Sequence, residues 1–160
     1  MRRFKIFMLG ALCMLMLVAC AQTATAPEAA ETTQTAHIAP NRWGVTLKAE
    51  NATPSGLTLI CEQSGGENVA ELMTGSQYVL QISENGQWKD VPYASQEYDV
   101  SWTLEAWLIP MNDHTTWNVN WEWLYGQLPA GEYRIGKEIS NYRAPGDFDE
   151  EIIYANFVIQ

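Results

Sequence analysis

Apolar and polar residues alternate along most of the chain after Trp43, with the period of two that is typical of half-buried β-strands. The alternation begins in two segments, 45–50 and 57–61, which a turn over residues 51–56 separates. No segment of ten or more residues has a convincing helical period. The pattern therefore predicts an all-β domain built from antiparallel strands.

The strongest local signal is the dipeptide Asn85-Gly86, which supplies the two positive φ angles that a type I′ hairpin turn requires. It follows a third alternating segment that starts at Tyr78. We expect the strand after the turn, 87–91, to pair directly with the strand before it.

Residues 99–109 also alternate, and Pro110 closes the segment. The parity predicts a core face made of Val100, Trp102, Leu104, Ala106 and Leu108. It places Trp107 on the opposite face, near Glu105, where an indole ring would face water. We interpret Trp107 and Glu105 as possible ligand-binding residues, because aromatic rings on the face of a β-sandwich can stack on sugar rings.

The segment 115–123 puts Trp117, Trp121 and Trp123 on one face, and their shared parity predicts that all three belong to the core. The run 128–135 combines a turn with an early tyrosine, Tyr133, and a last strand is predicted over 151–159. With seven or eight strands and no helix, the expected fold is two antiparallel sheets packed face to face.

Leu128 to Tyr133 resembles the tyrosine corner of immunoglobulin-like sandwiches. Five segments are similar to motifs of a bacterial immunoglobulin-like domain family: 44–47, 61–66, 117–126, 128–138 and 143–147. That family is found mainly in Gram-positive surface lipoproteins and in extracytoplasmic parts of membrane sensors. The resemblance implies an immunoglobulin-like β-sandwich of seven or eight strands over residues 43–160 and a surface role, but it brings no agreed ligand or activity.

The start of the chain resembles a bacterial lipoprotein signal. Basic residues in the first five positions precede an apolar run that is too short to span a membrane as a helix, and Leu17-Val-Ala-Cys20 follows. We expect cleavage after residue 19 and lipid acylation of Cys20. The mature protein would then be anchored by its lipid to the extracytoplasmic face of the cell membrane.

Residues 20–42 are rich in Ala, Thr, Gln, Glu and Pro, which predicts a flexible linker. The chain carries a net charge of −10, and loss of three basic residues with the signal takes it to −13. Nucleic-acid binding is excluded because it depends on basic contacts to phosphates. We expect a monomer.

Catalytic motifs are missing from the sequence, which contains two histidines and no Gly-x-Ser-x-Gly or paired cysteines. We therefore expect no enzyme activity and no cofactor. Cys61 alternates with leucines, so a buried and inert thiol is favoured over a reactive one. The acidic residues Asp147, Asp149, Glu150 and Glu151 are a weak calcium candidate; solvated charges are the favoured interpretation.

Two function hypotheses remain. The first is a membrane-anchored binding or structural module of unknown ligand, with a protein partner at the cell surface as one option. The alternative is a module that binds carbohydrate or cell-wall glycan through surface aromatic residues. The identity of the ligand cannot be read from the sequence.

Overall fold

The computed structural model describes residues 39–95 and 100–160. The predicted signal (1–19) and most of the predicted linker lie outside the described residues. The elements in chain order are β1 (Val45–Thr53), β2 (Gly56–Gln63), β3 (Glu71–Thr74), β4 (Val79–Glu84), β5 (Gln87–Asp90), β6 (Trp107–Leu108), β7 (His114–Asn120), α1 (Glu122–Tyr125), β8 (Gly131–Ala144) and β9 (Asp147–Ile159). Within these described ranges, no helix has the length and apolar character needed to cross a membrane.

The strands form two antiparallel sheets, as the alternation predicts. The smaller sheet has the order β1-β2-β7, in which β2 pairs with β1 on one side and with β7 on the other. The larger sheet is centred on β8, which pairs along its whole length with β9. The predicted hairpin between β4 and β5 is confirmed, with φ angles of 53° at Asn85 and 76° at Gly86.

On its other side, β8 pairs with two short strands placed end to end. β3 pairs with residues 139–142 of β8, and β4 pairs with residues 133–136. Both run antiparallel to β8, so they form one strand that is interrupted by the connection 75–78. β6 adds to the outer edge of β3, where Trp107 lies opposite Thr74. The interruption leaves Lys137 of β8 facing the connection instead of a regular strand.

The core lies between the two sheets and is formed by the alternating residues of both. Leu59, Ile135 and Ile139 are fully buried in it, together with Trp121. Cys61 is buried in the same layer, which agrees with the predicted inert thiol. The structure has nine strands instead of the predicted seven or eight, and the additional strand is the four-residue β3. The predicted alternation also differs from the structure in two places.

The first difference concerns residues 99–109. Only Trp107 and Leu108 form a strand, while Leu104 is fully exposed and Leu108 is mostly exposed. Ala106 is exposed as well, so the predicted core face is wrong at Leu104, Ala106 and Leu108. The cause is the pairing of Trp107 with the buried Thr74, which turns Trp107 toward the inside of the sandwich.

The second difference concerns Trp123. The strand β7 ends at Asn120 and the single turn α1 follows, so Trp121 and Trp123 no longer share a face. Trp121 is buried as predicted, whereas Trp123 is 63% exposed and its assignment to the core is wrong.

The predicted tyrosine corner is present at the start of β8. The Tyr133 ring is buried, and its hydroxyl donates a hydrogen bond of 3.0 Å to the carbonyl of Pro129, four residues upstream. The ring also stacks on Phe157 of β9. This contact fixes the turn that leads into the penultimate strand.

Tyr133→Phe removes this hydrogen bond and leaves the ring in place. We expect the free energy of unfolding to fall by about 1 kcal/mol. Urea denaturation followed by circular dichroism measures the change. Tyr142→Phe is the control, because this half-buried tyrosine lies on the same strand and its hydroxyl has no hydrogen-bond partner among residues 39–95 and 100–160. An unchanged midpoint for Tyr133→Phe would mean that the hydroxyl contributes nothing to the corner.

Candidate functional site: the tryptophan cleft

A cavity of about 330 Å³ opens at the edge of the sandwich, where β7 of the smaller sheet faces β6 and the segment 101–103. We call it the tryptophan cleft. Its volume falls near the lower end of the roughly 300 to 1,000 Å³ that is usual for small-molecule sites. Its lining combines aromatic rings with small polar side chains and one lysine: Leu59, Ser76, Tyr78, Ser101, Trp102, Thr103, Trp107, Trp117, Asn118, Val119, Asn120, Trp123 and Lys137.

The four tryptophans of the cleft form two pairs. Trp107 of β6 stacks on Trp117 of β7, with ring centroids 6.0 Å apart and an angle of 30° between the planes. Trp102 meets Trp123 edge to face, with centroids 5.9 Å apart. Because each pair joins residues distant in sequence, the fold holds the rings in a defined arrangement.

Local structure explains how Trp123 reaches the cleft. The Asn120 side chain accepts a hydrogen bond from the backbone N–H of Glu122, and α1 begins there. One helical turn then carries Trp123 out of the core, and its indole N–H donates to the carbonyl of Asn120 at 3.0 Å. A large apolar ring is thus fixed at the surface beside the cleft.

Lys137 lines the inner part of the cleft from β8. Its alternation with Ile135 and Ile139 turns it to the core face, and the residue is only 2% exposed. The ammonium donates to the carbonyls of Gly75 and Gln77, the second bond measuring 3.0 Å. These carbonyls belong to the connection that interrupts the strand beside β8.

The same ammonium lies against the stacked pair. The Lys137 Nζ atom is 4.9 Å from the ring centroid of Trp107 and 5.6 Å from that of Trp117, within the range of cation–π attraction. Burial lowers the pKa of Lys137 from 10.5 to about 8, although the neighbouring Cys61 works in the opposite direction. Burial likewise raises the pKa of the Cys61 thiol to about 12, which keeps it protonated.

Of the two sequence-predicted ligand residues, the structure places Trp107 in the cleft lining. Glu105 is exposed and lies outside that lining, with its backbone carbonyl next to Gly75. Trp102, Trp123 and Lys137 were not anticipated as site residues. The signal that could have indicated Lys137 is its place in the alternation Tyr133, Ile135, Lys137, Ile139, where a charged residue occupies a core position.

The acidic residues considered for calcium lie near the hairpin between β8 and β9. Arg143 donates to Asp147 at 2.8 Å and to Asp149 at 2.9 Å, and Arg42 lies within 4.0 Å of Asp149. Glu150 points to the other face of β9, because neighbouring strand residues alternate. Within residues 39–95 and 100–160, no group of three or more His, Cys, Asp or Glu side chains could hold a metal ion. Calcium binding by these residues stays a prediction.

Comparison with known proteins agrees with this architecture. No curated protein matches the chain. The family model described as a bacterial Ig-like domain matches residues 41–152, which include the strands β1 to β8, the first part of β9, the tyrosine corner and the tryptophan cleft. The chain belongs to the bacterial Ig-like domain family.

Proposed function

We propose that this protein is a lipid-anchored module of the bacterial cell surface that binds a saccharide in the tryptophan cleft. The family supports a surface or structural module in general, and its sandwich is a non-catalytic domain type. The lipoprotein-like signal ending at Cys20 supports anchoring outside the cytoplasm. The cleft supports binding over a purely structural role.

The observation that carries the proposal is the set of four indoles around one open cavity. One of the four, Trp123, is 63% exposed. A contiguous apolar surface of this kind is typical of ligand-binding grooves and interaction sites. The rings can stack on the apolar C–H faces of a sugar, while the hydroxyl groups of Ser101 and Thr103 can hydrogen-bond its hydroxyls.

Trp107→Ala is expected to weaken saccharide binding by roughly tenfold or more, because it removes half of the stacked pair. Binding is measured by intrinsic tryptophan fluorescence and calorimetry on unacylated protein, with soluble cell-wall and plant oligosaccharides as probes. The matched control is Trp88→Ala, which removes a half-buried tryptophan on β5 that packs under Arg134 away from the cleft. Equal affinities for wild type and Trp107→Ala would contradict the assignment of the cleft.

Cys20→Ser is expected to move the protein from the membrane fraction to the soluble extracytoplasmic fraction. The serine cannot receive a thioether-linked lipid, and the remaining chain has a net charge that disfavours an anionic membrane. Cell fractionation with immunoblotting measures the change. Cys13→Ser is the matched control, because that cysteine lies inside the apolar run and is expected to be removed with the signal. Full retention of Cys20→Ser in membranes would contradict lipid anchoring.

A further inference from the structure

The ammonium group of Lys137 is a buried positive charge in the lining of the tryptophan cleft. The ammonium has three N–H donors. Two of them go to the carbonyls of Gly75 and Gln77, and the faces of Trp107 and Trp117 flank the group. One donor is left for a ligand that enters the cleft.

No carboxylate among the described residues forms an ion pair with the Lys137 ammonium. Every lysine or arginine ion pair in the described part of the chain involves another residue, and the described cleft lining contains no Asp or Glu. The neighbouring Glu138 faces the other side of β8 and is exposed. A lysine held among backbone carbonyls and indole rings keeps its attraction for an anion.

We propose that the tryptophan cleft recognises a sugar that carries a carboxylate, with the Lys137 ammonium pairing with that group while Trp107 and Trp117 contact the sugar ring. This inference rests on the proposed saccharide-binding function and specifies its ligand class. A charge-assisted hydrogen bond to a carboxylate is about twice as strong as a neutral one. Folding has already removed the lysine from water, so only the carboxylate loses hydration when the pair forms.

The test uses two tetrasaccharides that share a backbone of N-acetylated sugars and differ in the lactyl ether on alternate sugars. One is a chitin tetramer of N-acetylglucosamine, and the other is a peptidoglycan tetramer in which alternate sugars carry a lactyl ether with a carboxylate. Calorimetry on the unacylated Cys20→Ser protein at pH 7 gives both affinities. We expect the carboxylated tetramer to bind roughly tenfold or more tightly. A second pair, an oligogalacturonate and its carboxyl-reduced form, extends the comparison to another sugar.

Lys137→Gln is the main variant, because the glutamine amide keeps a polar group with two N–H donors near this position but carries no charge. It should bind the acidic and neutral sugars with equal affinity. Lys137→Met repeats the test without the amide, and thermal melting verifies that each variant is folded. If one variant does not fold, the other still decides the outcome.

The outcomes separate the two proposals. If wild type binds the acidic and neutral sugars equally well, or if the preference survives in a folded Lys137→Gln protein, the inference about Lys137 is wrong while saccharide binding stands. If a Trp107-dependent affinity is found for none of the four sugars, the proposed function is wrong and the inference falls with it. A preference for the acidic sugars that depends on Lys137 supports both.

Discussion

Replacing Trp121 by alanine is expected to lower the free energy of unfolding by about 3–5 kcal/mol. The side chain is 0% exposed, and its ring packs 5.5 Å from that of Phe157 in the opposite sheet. The indole N–H also donates to the carbonyl of Pro54 at 2.8 Å, which ties the β1–β2 turn to the start of α1. Alanine would leave a cavity between the sheets, and urea denaturation measures the loss.

Trp123→Ala is the matched control, since it removes the same side chain two residues further along. That ring is mostly exposed and its main contact is the edge of Trp102, so we expect a loss of no more than about 1 kcal/mol. Similar losses for the two variants would contradict the different burial of the two rings.

These two tryptophans also show where the alternation of apolar and polar residues fails to predict burial. Strand parity treats Trp121 and Trp123 as equivalent, but residues two apart in a helix point about 200° apart. The short turn α1 was not predicted because four residues do not establish a helical period. The available signal was Asn120, whose side chain accepts the N–H of Glu122 in an Asx turn and so favours a turn where β7 ends.

Elements that depend on local chemistry could be predicted from the sequence. The Asn85-Gly86 turn follows from the backbone preferences of those residues, and the Tyr133 corner from a short motif. β3, by contrast, has only four residues, and its pairing with β8 involves partners about 70 positions away. No local pattern specifies such a pairing.

The tryptophan cleft could be predicted only in part, for the same reason. The alternation indicates Trp107 as a site residue, because it places this large ring outside the core face. Its stacking partner Trp117 lies in the other sheet, and the alternation assigns that residue to the core. Lys137 became a site residue because the interruption between β3 and β4 turns two carbonyls toward it. The cleft thus depends on tertiary packing around the interruption between β3 and β4.

Raising the pH from 7 to 9 is expected to stabilise the wild-type protein relative to Lys137→Gln by about 1 kcal/mol. Burial lowers the pKa of Lys137 to about 8, whereas a lysine in the unfolded chain keeps its ordinary pKa of 10.5. Between these values the unfolded chain binds more protons than the folded one, so the free energy of unfolding rises with pH. At about 1.4 kcal/mol for each pKa unit, the full gain would approach about 3 kcal/mol near pH 10.5.

Urea denaturation at several pH values between 6.5 and 9 measures this difference for both proteins. The upper limit is set by Cys61, since burial raises its pKa to about 12 and its ionisation in the unfolded chain opposes folding above about pH 9. That contribution is common to the two proteins and largely cancels. Lys89→Gln, at an exposed lysine on β5, is the control for the loss of one lysine charge elsewhere in the domain. Parallel curves for wild type and Lys137→Gln would mean that the Lys137 ammonium is hydrated in the folded protein, and its role in holding a carboxylate would then lose its physical basis.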